Sequence, residues 1–495
     1  PNTIDARCAR NATETGPSTA VKSNNWEPFL SGSAPARTES GWQDEHETGF
    51  DGLQGKITGR EEMQMTRFAV LLGAVAVAVS CGGEPEAPPV EVTPGLQAFV
   101  GARIIDGTGA AAVENGVLVV RDGRIEAVGS GDTIAVPADA EQVDVTGRTI
   151  MPGMINAHGH INNVQGLDQV DYTEAQVERQ LGLYARYGVT TVFSLGGDGP
   201  EGMAVRDRQD NPELDQARLF VAGNIVTGPT PEDAREQVNA VADSGADVVK
   251  IRVDDNLGAG RKMARETYEA VIQASHERGL KLTAHMYYLE DAKGLLEAGA
   301  DLLAHSVRDA EVDDELVTLL RDSGVCYCPT LMREVSTFAY EARPAWFDDP
   351  FFTKNVDPAV IAALDTPEWR ERSSSRSAQT YKAQLEVAKR NVKTLSDAGV
   401  PIAMGTDTGP AARFQGYFEH GELELMVEAG LTPMQAIVAS TSDAARCMEV
   451  DADLGSLAVG KWADFLVLGA NPLDDITNTH SLETVYIAGN VVPGV

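Results

Sequence analysis

Four segments of this chain repeat one local pattern: ARYGVTTV, DSGADVVK, EAGADLLAH and DAGVPIAM. In each, a helical stretch stops at a glycine and the chain passes at once into a short apolar strand. Glycine closes helices in the left-handed conformation, and helix, glycine, strand in repetition is the grammar of parallel βα units. Between Thr149 and Asp407 there are eight such apolar runs: TIMPGMINAHGH, TTVFSLG, RLFVAG, ADVVKIRV, LKLTAHMY, ADLLAHSV, VCYCPTL and PIAMGTD. Eight units predict an α/β fold of the closed (β/α)8 TIM-barrel type, with its chemistry at the C-terminal strand ends. A doubly wound open sheet is the alternative.

The two flanks read differently. LQAFVGARIID, GVLVVRDGRIEAVG and AEQVDVTGRTI are short strands joined by DG and TG turns, and similar strands return in GKWADFLVLG and ETVYIAGNVV. Residues 96–148 and 451–495 are therefore expected to form one small β-sandwich, with the barrel, 149–450, inserted between its halves. Ahead of them, residues 1–64 lack periodicity and read as a disordered or non-native extension, with a natural start at Met63 or Met65. Residues 65–81, ending VAVSC, resemble a bacterial lipoprotein signal: one basic residue, an apolar run too short to span a bilayer, and small residues up to Cys81. Residues 82–95 read as a tether. This predicts a cell-envelope protein held to a membrane only by lipid on Cys81; without the signal it would be cytoplasmic.

Acidic residues outnumber basic ones 74 to 40, a net charge of −34, which argues against nucleic acid or an anionic membrane as a partner. A homo-oligomer is compatible with the sequence. The five cysteines, Cys8, Cys81, Cys326, Cys328 and Cys447, have no spacing that suggests a disulfide framework or a zinc knuckle. Cys326 and Cys328, in VCYCP, read as small core hydrophobes.

Polar residues at the ends of the apolar runs are few. His158 and His160 lie on the first, where i and i+2 on a strand face one way; Lys250 lies on the fourth, His285 on the fifth, His305 on the sixth and Asp407 on the eighth. The chain holds only 8 histidines, and four of them fall where a barrel would bring strand ends together. Lys250 sits inside VVKI, where an unpaired ammonium is costly. Either it pairs with Asp198 or Asp254, or it is a low-pKa amine that takes up carbon dioxide as a carbamate and so becomes a carboxylate able to bridge two cations.

On these residues, the chain from about Leu96 to Val495 resembles the amidohydrolase superfamily: HxH on the first barrel strand, Lys on the fourth, His on the fifth and sixth, Asp on the eighth. Its closing run, LELMVEAGLTPMQAIVASTSDAARCMEVDADLGSLAVGKWADFLVL, is similar to the imidazolonepropionase-like and prolidase-like branch. The resemblance implies one divalent ion on His158, His160 and Asp407, a second on His285 and His305, and carboxylated Lys250 between them. Zinc is the expected metal for such imidazole and carboxylate ligands. It also implies a shared hydroxide as nucleophile, with Asp407 as the catalytic acid–base that moves its proton to the leaving nitrogen.

The metal set does not choose a substrate. AHMY places Tyr287 two residues after His285, similar to the AHAY of prolidase-like dipeptidases, in which the tyrosine helps hold a substrate carboxylate. Arg252 either binds a carboxylate or pairs with Asp254 or Asp255. His420 either lies over the site or is a solvated histidine at a helix start. The aromatic segment 332–376 reads as a lid or a helical decoration. The favoured function is hydrolysis of C–N bonds in dipeptides or N-acyl amino acids; a lactonase or broad amidase, and an inactive surface-anchored binding protein, are the alternatives.

Overall fold

The parallel strands fall where the glycine stops predict them. In the computed structural model the described residues are 93–495; the expectations for the extension, for the signal with Cys81 and for nearly all of the tether lie outside them. Gly188, Gly245, Gly299 and Gly399, the stops of the four repeated segments, all have positive φ (81°, 83°, 95° and 78°), which a side chain would make costly.

Met154–Gly159, Val189–Ser194 and Arg218–Val221 pair in parallel as one sheet, and Val248–Val253, Lys281–Met286, Leu302–Ala304 and Cys326–Cys328 as another. Single parallel bridges join them: Val226 to Ile251, Tyr327 to Ile402 and Gly159 to Thr408. The eighth run, PIAMGTD, thus lies between the seventh strand and the first. Tyr327 N donates to Pro401 O at 2.9 Å and Ala157 N to Met404 O at 2.9 Å. Helices return the chain between strands, among them Glu174–Ala185, Pro231–Asp243, Arg265–Glu277, Leu289–Ala298, Asp314–Ser323 and Arg376–Asp397. Thr173, Thr230 and Asp313 cap three of them, each accepting a hydrogen bond from the third residue on.

The run TIMPGMINAHGH is not one strand. It breaks at Gly153: Thr149–Pro152 pairs with Leu96–Ile104 and Phe465–Leu468, and only Met154–Gly159 joins the parallel array. Strands from both ends, together with Thr149–Pro152, make a single eight-stranded sheet. Its edge curls back, with Ile125 N donating to Lys461 O at 2.9 Å. Alternate residues face opposite ways, so Phe99, Leu118 and Val120 join a core with Phe465 and Tyr486, while Ala98, Val117 and Val119 line another. Arg218, 2% exposed, pairs with Asp464 at 2.8 Å, tying the third parallel strand to this sheet.

Cys326 and Cys447, 121 positions apart in the sequence, form a disulfide, which corrects the reading of Cys326 as a core hydrophobe; Cys328 is free and buried as expected. Sequence spacing could not reveal the pair, because the bond spans most of two βα units and joins residues that only the fold makes neighbours. Among the described residues, no helix is long and apolar enough to cross a membrane.

Candidate metal centre

His158 and His160 sit at the end of the first parallel strand, both buried, with ring centroids 5.6 Å apart. The HxH spacing does what period-2 geometry dictates, and Asp407 reaches the same point from the eighth run. Asp407 Oδ1 lies 2.8 Å from His160 Nε2 and 3.7 Å from His158 Nε2. Each of the three offers a ligand atom, and these lie within 4.8 Å of one another. Gly405 permits the approach: a Cβ there would stand 2.8 Å from that of His158 and 2.5 Å from Cys328 Sγ.

Lys250 Nζ lies 3.1 Å from His158 Nε2. Burial pushes the ammonium down to about 7, against the pull of Asp407, and the same burial, then Lys250, drives His158 well below its ordinary value. The ion pairs expected as alternatives are absorbed elsewhere. Asp198 Oδ2 accepts from the Ala222 and Gly223 amides, and Asp254 Oδ2 accepts from His285 Nε2 at 2.8 Å.

His305 completes the group, its ring centroid 4.6 Å from that of His158 and 4.1 Å from that of His285. Its Nδ1 lies 2.7 Å from Thr330 Oγ1. His305, Thr330 and Asp407 all adopt left-handed backbone (φ 72°, 50° and 59°). For non-glycine residues such conformations cost of order 1–3 kcal/mol each and gather at functional sites.

The donor set fits cations. His160 Nδ1 lies 3.2 Å from Gly196 O, which can only accept, so that nitrogen carries the proton and Nε2 presents either a lone pair or a second proton to Asp407. In the first case two acceptors face one another, as they do around a shared cation. His158 Nδ1 is buried with no partner. The Asp254 carboxylate fixes the tautomer of His285 in the same way, leaving Nδ1 as its lone-pair nitrogen, an arrangement typical of metal-bound histidines. Burial pushes His285 down to about 3 and lowers His305 as well, so both rings are neutral and able to ligate. Burial alone would raise Asp407, but the Arg413 guanidinium and His160 hold it well below the usual carboxylate range.

The six residues expected as ligands thus converge, whereas the other three are placed differently. Arg252 bonds Asn256 and lies 3.5 Å from Asp254 Oδ2, the ion-pair alternative, while Asp255 accepts from the Tyr288 hydroxyl. Tyr287 is buried, and Gln384 Nε2 donates to its hydroxyl. His420 is neither solvated nor free for substrate. It is fully buried, with Nδ1 2.9 Å from Thr479 Oγ1 and Nε2 2.7 Å from Tyr187 O, because its helix, Tyr417–Glu428, packs that face inward. The segment 332–376 is helical, with Pro350–Thr353, Pro358–Leu364 and Pro367–Ser373, and its Phe347 and Phe352 pack with Tyr187 and Phe418.

Several residues at the site carried no signal in the sequence. Arg413 Nη1 bonds Asp407 Oδ2. Glu419 is fully buried behind the segments that carry His158 and Asp407, accepting from Asn156 Nδ2 at 2.6 Å and from the Thr406 and Thr408 hydroxyls at 2.7 Å each. Asn156 Oδ1 in turn accepts from His158 N at 2.9 Å. This network pins the two segments that present His158 and Asp407. Only its parity with His158, on GMINAHGH, could have drawn attention to Asn156.

A model of the Amidohydrolase family matches residues 149–492. A solved structure from Bifidobacterium longum, assigned as a prolidase, is 28% identical with a TM-score of 0.65, covering 82% of this chain and 95% of that one. A molinate hydrolase structure is 25% identical with a TM-score of 0.63, covering 81% and 95%. The imidazolonepropionase of Mycolicibacterium smegmatis is 24% identical over 391 residues, 72% of this chain and 85% of its own.

Proposed function

The chain belongs to the amidohydrolase family, and on that premise we propose that it is a metal-dependent hydrolase of C–N bonds acting on dipeptides or N-acyl amino acids. The two parallel sheets and the bridges between them are read as one (β/α)8 barrel, and the sheet of the chain ends as its β-sandwich. The observation that carries the function is the buried convergence of His158, His160, Asp407 and a lysine pushed down to about 7. The peptide preference draws on the likeness to the B. longum protein.

His158, His160 and Asp407 would hold one divalent cation and His285 and His305 a second, with Lys250 between them; zinc suits these ligands. Cations so held supply Lewis acidity toward a scissile carbonyl and lower the pKa of water. A lysine with pKa near 7 is largely the free amine at physiological pH. Its nitrogen attacks carbon dioxide, an N–C bond forms, one N–H proton leaves to solvent, and the product is an anionic carbamate. Asp407 is ionised and so accepts a proton from the attacking water. As an acid of low pKa it then releases that proton readily to the departing amine nitrogen. Arg413 holds Asp407 Oδ2, which orients the other oxygen toward His160.

The test is metal analysis joined to an assay panel. Two zinc ions per chain and turnover of Xaa-Pro, Xaa-Arg or N-acyl amino acids are expected; homoserine lactones as the sole substrates would reassign the chemistry, and a metal-free, inactive protein would refute it. We also propose a cell-envelope location anchored at Cys81. The Cys326–Cys447 disulfide supports it, since such bonds persist in oxidising compartments. Lipid incorporation unchanged in Cys81→Ser would overturn that assignment.

A further inference from the structure

Thr330, whose hydroxyl lies 2.7 Å from His305 Nδ1, stands where a helix would ordinarily use it. It directly precedes helix Leu331–Phe338, and a threonine at that position normally accepts from the amide two or three residues on. Thr330 makes no such bond. Its backbone is left-handed (φ 50°, ψ 51°) instead of the extended form of a cap, an outlier for a β-branched residue.

The helix is capped from elsewhere. Glu422, fully buried, stands 91 residues beyond Leu331, and its two carboxyl oxygens accept from Leu331 N and Met332 N at 2.7 Å each. These are the first two amides of the helix, donors that have no partner within it. Glu422 belongs to helix Tyr417–Glu428, and its neighbours serve the other ligands. Gln415, just ahead of that helix, donates through Nε2 to His160 O at 2.9 Å, and Glu419 accepts from the hydroxyls on either side of Asp407. One helix start thus braces three ligand-bearing segments, and Glu422 is its contact with the one that orients His305.

Glu419 and Glu422 lie one turn apart on one buried face, where carboxyls are costly unless their hydrogen bonds are made. The bonds of Glu422 are ones that Thr330 cannot make while it faces His305. Without the carboxyl, two amides at the helix start lack acceptors. Thr330 can take one of them, from Met332, only by turning its backbone extended and withdrawing its hydroxyl from the ring.

We propose that Glu422 is a positioning residue for His305: it caps helix Leu331–Phe338 in place of Thr330 and so frees that hydroxyl to accept from His305 Nδ1. Nε2 is then the lone-pair nitrogen presented to a cation. The inference rests on the two-cation reading and deepens it, since it makes a carboxyl on the helix after the eighth run a determinant of the ion assigned to His285 and His305.

The test reads the ring directly. The zinc-loaded full chain, labelled with heavy nitrogen in its histidines, is studied by proton–nitrogen NMR, with His305 identified by the signal missing in His305→Gln. The wild-type ring should carry its proton on Nδ1 alone. Glu422→Gln keeps the volume but can accept from only one amide. It should give a mixture of both ring tautomers and weaken the hold on one of the two zinc ions about tenfold or more in competition with a chelator, the scale of losing a partner of a metal-bound histidine. Thr330→Val should do the same, and Thr330→Ser, which keeps the hydroxyl, should behave as wild type. The double variant Thr330→Val with Glu422→Gln should hold zinc no more weakly than Thr330→Val alone. Glu422→Asp, whose carboxyl stops one methylene short, should fall between wild type and Glu422→Gln, and it decides the matter where Glu422→Gln does not fold. A wild-type His305 protonated on Nε2 overturns the proposal without any variant. So does an unchanged ring in folded Glu422→Gln, and so do zinc losses that multiply in the double variant, the mark of two independent structural defects. If the Nδ1 proton is present and is lost with Glu422→Gln, but the wild-type chain binds a single zinc ion, the positioning role stands and the two-cation reading falls.

Discussion

Replacing Cys326 and Cys447 together by alanine removes a cross-link that closes a 121-residue loop. Loop-closure entropy grows with the logarithm of loop length, and for this span it gives about 5 kcal/mol lost from the unfolded chain when the bond is present. Both cysteines are buried, 4% and 5% exposed, so loss of the sulfurs also opens a small void, which adds to the destabilisation. An unfolding entropy of about 2.1 cal/mol/K per residue over about 400 described residues is about 0.85 kcal/mol/K. The double variant should therefore melt about 6 °C lower by calorimetry. Cys326 opens the seventh parallel strand, whereas His158, His160, His285, His305 and Asp407 lie near or past the opposite ends of theirs, so turnover well below the melting temperature should be unchanged. Thiol titration of the denatured wild-type chain should find two fewer thiols before reduction than after it. Equal thiol counts, or a melting temperature unmoved in the double variant, would refute the cross-link and its contribution.

Asp407→Asn keeps the volume but cannot accept a proton, so kcat should fall by roughly 10² or more, read by steady-state kinetics with metal content measured alongside. Lys250→Ala should lose metal and activity, and acetate or propionate added with zinc should restore part of both; two retained metals with no rescue would exclude a bridging carbamate. Burial pushes the Glu422 carboxyl from an ordinary 4.5 up to about 8, even though it accepts from the Leu331 and Met332 amides. The folded chain thus keeps a proton there that the unfolded chain has released. The resulting stability is complete below about pH 4.5 and declines as pH rises through 8, and Glu422→Gln should flatten this slope in melting curves at pH 5 to 8.

The sequence by itself determined the parallel array and which six side chains converge, because both depend on local rules. A glycine after a helix sets the turn that starts the next strand, and period 2 puts His158 and His160 on one face. A charged or imidazole side chain in an apolar run must have a role, which marked Lys250, His285, His305 and Asp407. Tertiary structure decided whatever depends on who packs against whom. Cys326 meets Cys447, and His420 turns inward to Thr479 and Tyr187, though neither sequence neighbourhood differs from that of an ordinary core cysteine or a surface histidine. Nothing along the chain singles out Arg308, Arg333 and Glu334. They become a buried cluster only because the sixth and seventh strands end side by side and helix Arg376–Asp397 closes over them. Burial is a property of the assembled fold, and it is burial that gathers these common charges into a cluster and pushes an ordinary lysine ammonium down to about 7.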